Sequence, residues 1–189
     1  MVKQYGLVFD LRRCIGCRTC VIACKMENNL EGPYSWIKVL TSNGATTDIP
    51  NGKYPQLSLS WQPVTCMHCK NPPCLKACPV EGTIYKRLDG IVLIDKEKCN
   101  GCQLCALTCP YGVIQFNPSK GYAEKCTLCS HRIDQDLQPF CVKECVWGAI
   151  CFGDIGDPNS EASQLISSRK AYTLESGNGT QPSNYYLAP

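Results

Sequence analysis

The stretch that decides the fold runs from Asp95 to Pro110 and reads D-K-E-K-C-N-G-C-Q-L-C-A-L-T-C-P. Its cysteines, Cys99, Cys102, Cys105 and Cys109, follow the spacing C-x2-C-x2-C-x3-C-P. Three thiolates at three-residue steps can wrap one face of a cube of iron and sulfide, and this spacing is one that holds such a cube. In chains with two cubes the fourth cysteine of the run belongs to the neighbouring cube. The stretch therefore predicts a partner run.

Three more runs are present. Cys14, Cys17, Cys20 and Cys24 repeat the x2, x2, x3 spacing. Cys66, Cys69, Cys74 and Cys78 widen the second gap to four residues and end in Cys78-Pro79. Cys126, Cys129, Cys141 and Cys145 widen it to eleven. The first and third runs share their approach as well: an apolar strand (Gly6 to Asp10, Gly90 to Asp95) ends in Asp, and a glycine, Gly16 or Gly101, precedes the second cysteine. This is an internal repeat. Glycine there suits a loop whose backbone must approach sulfide closely.

The segment after the fourth cysteine repeats too. Aligning Gly82, Gly112 and Gly148 makes Ile84, Ile114 and Ile150 coincide, as strand residues facing one core. Cys151 then falls level with Tyr85 and Gln115, so it is read as a packed strand residue and not a ligand. The other sixteen of the 17 cysteines divide without remainder into four cubes.

The exchange rule pairs the two central runs, so that Cys66, Cys69, Cys74 and Cys109 form one set and Cys99, Cys102, Cys105 and Cys78 the next. The outer runs then pair across the chain. Cys14, Cys17, Cys20 and Cys145 form a third set, and Cys126, Cys129, Cys141 and Cys24 a fourth.

Composition closes off other classes. Disulfides or zinc knuckles would account for abundant cysteine, but neither calls for triplets at three-residue steps. The formal charge is +3. Each cube with four thiolates carries roughly −2, and four of them turn this into roughly −5, which leaves no basic character for nucleic acid. No apolar run approaches the ~18 residues of a membrane span. The N-terminus reaches Asp10, Arg12 and Arg13 too early for a signal-peptide apolar region, so export, if any, is expected to ride on a partner.

The stretches V-F-D-L-R-R-C-I-G-C-R-T-C-V-I-A-C-K-M-E-N, C-M-H-C-K-N-P-P-C, C-P-Y-G-V and K-C-T-L-C-S-H-R together resemble the four-cluster electron-transfer subunits of the dimethyl sulfoxide reductase family of molybdopterin oxidoreductases. These are the small subunits of dimethyl sulfoxide, polysulfide, thiosulfate and arsenate reductases. The resemblance implies four complete 4Fe-4S clusters and no catalysis by the chain itself. It implies a large molybdopterin catalytic subunit and an integral membrane quinone-reactive subunit as partners, with electrons relayed singly between them in anaerobic respiration. It also implies a place on a membrane through those partners, on the extracytoplasmic face with export guided by the catalytic subunit's signal, or else on the cytoplasmic face. A sulfur-compound or sulfoxide type of reductase is the closer resemblance. A soluble polyferredoxin, or an iron-sulfur subunit of formate dehydrogenase or hydrogenase type, is the other reading.

The expected fold is α+β, with two ferredoxin-like modules related by the repeat. Residues 1–54 with 121–160 form the first, 55–120 the second, and 161–189 a C-terminal helix and an extended partner-binding tail. The turn signals at Asn43-Gly44 and Asn51-Gly52 suggest an inserted β-hairpin or loop, with Leu57, Leu59 and Trp61 alternating along a half-exposed strand. Both histidines, His68 and His131, stand beside cluster cysteines, as do Lys70, Lys125 and Arg132. Tuning of a cluster is one reading for these. Loop packing for the histidines and solvated surface for the cations are the plainer ones. Trp61, Tyr111 and Trp147 are expected to pack against clusters.

Overall fold

The computed structural model describes residues 3–174 and 179–188. Its plan follows from the repeat. Each cysteine run is led in by a strand: β1 (Tyr5–Asp10), β3 (Trp61–Thr65), β5 (Val92–Ile94) and β7 (Tyr122–Glu124). Each is followed by another: β2 (Ile37–Thr41), β4 (Ile84–Lys86), β6 (Gln115–Asn117) and β8 (Ile150–Asp154). Every leading strand pairs antiparallel with the strand trailing the run before it. β2 joins β3, β4 joins β5 and β6 joins β7, while β8 comes back to β1 and closes the cycle.

This pattern corrects the reading of the region around Asn43-Gly44 and Asn51-Gly52 as an inserted hairpin. The hairpin of β2 and β3 is a regular member of the cycle, and only its long connection, residues 42–60, is additional. Leu57 and Leu59 lie outside the strand, which begins at Trp61; an isolated bridge between Asn51 and Ser58 is the pairing found there. The expected module boundary between 54 and 55 falls in this connection, and the one between 120 and 121 in the turn from β6 to β7. Both hairpins therefore run across the expected boundaries.

Short helices carry the later cysteines of each run. They are α1 (Thr19–Glu27), α2 (Pro73–Ala77), α3 (Leu104–Thr108) and α5 (Phe140–Lys143), with α4 (Ser130–Ile133) between the second and third cysteines of the last run. α1 packs on α5, and α2 on α3. The interior divides in two. A large core runs from Leu7 and Phe9 through Trp36, Ile37, Met67 and Ile150 to Tyr186, and a smaller one gathers Ile84, Val92, Ile114 and Ala123. Ile84, Ile114 and Ile150 thus do not face one core: Ile84 and Ile114 share the smaller one, and Ile150 belongs to the other half.

The C-terminal region departs furthest from expectation. The helix forms, as α6 (Glu161–Ser168) with the Ser160 hydroxyl accepting from Ser163 N–H at its start. The tail is not a free arm awaiting a partner. After β9 (Ala171–Tyr172), β10 (Tyr185–Leu187) enters the main sheet between β1 and β9, in the order β8-β1-β10-β9, and runs parallel to β1. The part of the expected tail at 175–178 and 189 lies outside the described residues.

Ser183, Asn184, Tyr186 and Leu187 are fully buried, so the apolar and aromatic character of the tail serves this chain's own core. Tyr186 stacks on Phe9 with ring centroids 5.1 Å apart and donates its hydroxyl to Pro63 O at 2.8 Å. Gly6 permits the approach, since a Cβ there would sit 2.0 Å from Ser183 O.

Asn184 bridges two parts of the fold that are far apart in sequence, accepting Leu7 N–H at 2.9 Å and donating to Cys66 O at 3.0 Å. Replacing it with Ala leaves both backbone groups buried and unpaired, at roughly 1–3 kcal/mol each. Asn184→Ala is expected to lower the thermal midpoint, read as loss of visible absorbance on heating, while its iron content when freshly purified stays at the level of the unaltered chain.

Candidate metal centres

The spacing of the cysteines becomes geometry through the helices. Cys20 and Cys24 lie in α1, one turn apart. Cys74 lies in α2 with Cys78 at its C-terminal end, and Cys105 in α3 with Cys109 likewise. Cys141 lies in α5 and Cys145 just beyond it. One helical turn separates the two sulfurs of each pair by about 6 Å along the axis, and the two open into different cavities.

Among the described residues there are four such cavities, all small. Cys14, Cys17, Cys20 and Cys145 line one. Cys24, Cys126, Cys129 and Cys141 line another. Cys66, Cys69, Cys74 and Cys109 line a third, and Cys78, Cys99, Cys102 and Cys105 a fourth. The cysteines of each expected set are thus brought together. Cys151 joins none of them: it sits in β8 opposite Val8 and lines a separate surface cleft with Asp10 and Arg169.

Shared elements put the cavities in a row. α2 and α3 link the Cys102 cavity to the Cys66 cavity. Cys66 lies close enough to Cys126 for their charges to interact, which links the second to the third. α1 links the third to the last, where Cys20 acts on Cys24 in the same way. Burial follows this order. The two end sets expose Cys102 and Cys17, whereas Cys24, Cys126, Cys129 and Cys141 in the interior are all buried.

The donor set suits iron and sulfide. Burial pushes the thiols of Cys20 and Cys74 up to about 12 and those of Cys69 and Cys126 to about 11, with Cys24 and Cys141 raised well above the usual thiol range. Neighbouring cysteines add to the rise at each. Such thiols become ligands only when iron supplies the positive charge that burial denies them. Among the described residues no three His, Cys, Asp or Glu side chains converge as a single ion would require; the sulfurs ring a space instead. Two buried donors also lack acceptors among the described residues. Trp36 Nε1 belongs to a side chain lining the Cys24 cavity, and His68 carries its proton on Nε2 because Nδ1 accepts Val92 N–H. Sulfide and thiolate are acceptors a cube would bring to Trp36, whereas His68 lines none of the four cavities.

Apart from Tyr111, the residues that hydrogen-bond to sulfur are ones the sequence did not single out. Thr19 Oγ1 lies 3.3 Å from Cys17 Sγ, and this bond, with the Thr19 N–H, lowers the Cys17 pKa. Asn28 Nδ2 lies 3.7 Å from Cys24 Sγ, and Leu128 and Ala149 donate N–H groups to Cys126 and Cys145. Thr180 and Tyr111 act on Cys69. Asn28 stands four residues beyond Cys24 and so on its helical face, a signal that was available; nothing in the sequence points from Cys69 to Thr180.

The flanking residues sort themselves by burial. His131 is half exposed and packs its Nε2 2.7 Å from Glu27, with Arg132 on the same carboxylate, so both tie α4 to α1. Lys70 is exposed. Lys125 is not the solvated cation expected, being 2% exposed, and His68 is fully buried. Trp61 covers Gly16, hydrogen-bonded to Asp48 at 2.9 Å. Tyr111 and Trp147 line the Cys66 and Cys14 cavities.

Comparison with known proteins agrees with these centres. Profiles of a 4Fe-4S dicluster domain match residues 57–155 and 13–82. The chain is 39% identical to the B component of tetrathionate reductase from Salmonella typhimurium, over 97% of this sequence and 72% of that one. It is 33% identical to the iron-sulfur subunit of arsenate respiratory reductase from a Shewanella species (97% and 96%). It is 37% identical to the B component of anaerobic dimethyl sulfoxide reductase from Escherichia coli (88% and 82%). Two ferredoxin-type dicluster domains of mixed helix and strand define the class. Within it, this protein belongs to the family of iron-sulfur subunits of anaerobic respiratory reductases. It carries 4Fe-4S clusters, transfers electrons, and works beside a catalytic partner.

Gly16 offers a test of how tightly the first centre is built. Its φ is +69°, and a Cβ would lie 2.3 Å from Trp61 Nε1. Gly32 has a similar φ of +56° with open space around it. Gly16→Ala is expected to lose about a quarter of the iron per chain, one cube of four, while Gly32→Ala keeps it all; iron analysis of anaerobically purified protein decides.

Proposed function

We propose that the four cysteine sets are the ligand sets of four 4Fe-4S cubes, and that the chain is a single-file electron relay between two partners at its two ends. What supports this is one observation: four cavities, each lined by four cysteines, succeed one another through shared helices, and their most exposed ligands, Cys17 and Cys102, stand at the two ends of the row. The ligands are Cys14, Cys17, Cys20 and Cys145; Cys24, Cys126, Cys129 and Cys141; Cys66, Cys69, Cys74 and Cys109; and Cys78, Cys99, Cys102 and Cys105. When bound, each cube supplies a one-electron redox couple. The protein's own work is to fix the spacing, exclude water from the interior pair and aim N–H and hydroxyl groups at sulfur.

In this reading one partner is a large molybdopterin catalytic subunit acting on a sulfur compound or sulfoxide. The other is an integral membrane subunit that reacts with quinone. No helix among the described residues is long and apolar enough to cross a membrane, so attachment is through that partner. The complex faces the extracytoplasmic side, exported with the catalytic subunit. The folding units are two ferredoxin-like modules, residues 1–54 with 121–160 and residues 55–120. The buried tail no longer argues for a partner; the kinship with reductase iron-sulfur subunits does.

Anaerobic purification from the native source is expected to bring down a molybdopterin-containing polypeptide and a membrane polypeptide. Recovery of this chain alone, fully loaded, sinks the relay between partners. The unaltered protein should contain about sixteen iron atoms and sixteen acid-labile sulfides, four of each per cube. Cys109→Ser is expected to abolish or alter one electron paramagnetic resonance signal, and Cys151→Ser none. A signal lost with Cys151 overturns the ligand sets.

A further inference from the structure

Lys125 is a buried cation in an unusual setting. Its Nζ donates to the carbonyl oxygens of Val92 and Cys126, both neutral acceptors. Among the described residues it enters no ion pair with a carboxylate. Glu124 precedes it and is also buried, but it closes β7 while Lys125 lies just beyond the strand, and Glu124 is held by Lys120 at 3.2 Å. His68 is no counter-charge either. An imidazole is a base and supplies no anion. His68 accepts Val92 N–H at 3.1 Å, which pins the Val92 residue from both sides, N–H by His68 and C=O by Lys125.

An ammonium buried without an anion is strongly unfavourable. The position of Lys125 says which anion answers it. Its two acceptors border different centres: Val92 lines the cavity of Cys66, Cys69, Cys74 and Cys109, and Cys126 that of Cys24, Cys129 and Cys141, and it is at Cys74 that the charge is felt. At Cys74 the Lys125 charge opposes the upward push of burial and of the neighbouring cysteines. Four thiolates around a cube give this site a net negative charge, and one electron adds one more.

We infer that Lys125 is the built-in counter-cation of this one site and holds its reduction potential above the value the same ligands would give without it. The inference rests on the ligand sets proposed above. The ammonium stabilises the reduced site more than the oxidised one, because its distance is fixed and only the charge opposite it changes. The electron comes from the adjacent site in the row and leaves to the next, with no proton required. Burial keeps the interaction from being screened by salt.

Two variants separate charge from packing. Lys125→Gln keeps a donor for the two carbonyls and removes the charge; Lys125→Arg keeps the charge. Each is purified anaerobically, its iron and sulfide counted, and its clusters titrated by electron paramagnetic resonance, with the signal lost in Cys109→Ser marking the site. In Lys125→Gln the midpoint of that signal is expected to fall, by at least a tenfold change in the reduced-to-oxidised ratio at fixed potential, about 59 mV for a one-electron couple. The other midpoints and those of Lys125→Arg stay with the unaltered protein. Loss of that one cube in Lys125→Gln with its retention in Lys125→Arg supports the same role, whereas loss in both overturns it. Four loaded clusters with unmoved midpoints, or with all midpoints moved together, overturn the role of Lys125 and leave the ligand sets standing. Absence of cubes from the unaltered chain overturns both.

Discussion

One turn of α-helix, between the third and fourth cysteine of each run, is the constraint from which the structure follows. It is too short to let the two sulfurs drift apart, and in this fold it turns them toward different cavities. The pair therefore serves two neighbours, and each helix becomes a link. These four links alone would leave two separate pairs of centres, one in each half. Cys66 and Cys126, both in the large core, make the remaining connection.

The hairpins impose the same economy on the backbone. Because each leading strand pairs with the strand that trails the previous run, no run is anchored by its own flanks alone. A cysteine run is mostly loop, and loop backbone must find hydrogen-bond partners or water. Here its ends are fixed by ladders and its N–H groups turn to sulfur, as at Leu128 and Ala149. The small apolar cores then need only cover the cubes. This is why so few large side chains suffice: much of the interior is metal centre.

The sequence was most legible where covalent spacing dictates geometry. Run spacing grouped the cysteines, and the alignment of Gly82, Gly112 and Gly148 set Cys151 apart, because strand register and ligand position are properties of near neighbours. Long-range choices were less legible. Nothing in Y-Y-L says that it will insert beside β1 and not lie on a partner, since both outcomes bury the same apolar surface. The region around Asn43-Gly44 and Asn51-Gly52 looked like an inserted hairpin because a long connection hid the pairing of β2 with β3. Lys125 looked like surface because lysine usually is; its burial rests on the carbonyls of Val92 and Cys126, which come together only in the folded chain.

The interior place of β10 has a consequence in time. Residues 180–187 emerge from synthesis after all four runs, yet Lys70 and Asn71 donate to the carbonyls of Gln181 and Thr180, and Ser183 closes over Met67 and His68. Until that segment arrives, the loop around Cys66 and Cys69 has no lid and the sheet has a vacant lane beside β1. The flank of the Cys66 loop is thus closed by a segment more than a hundred residues away in sequence, so a disturbance of β10 reaches that centre directly.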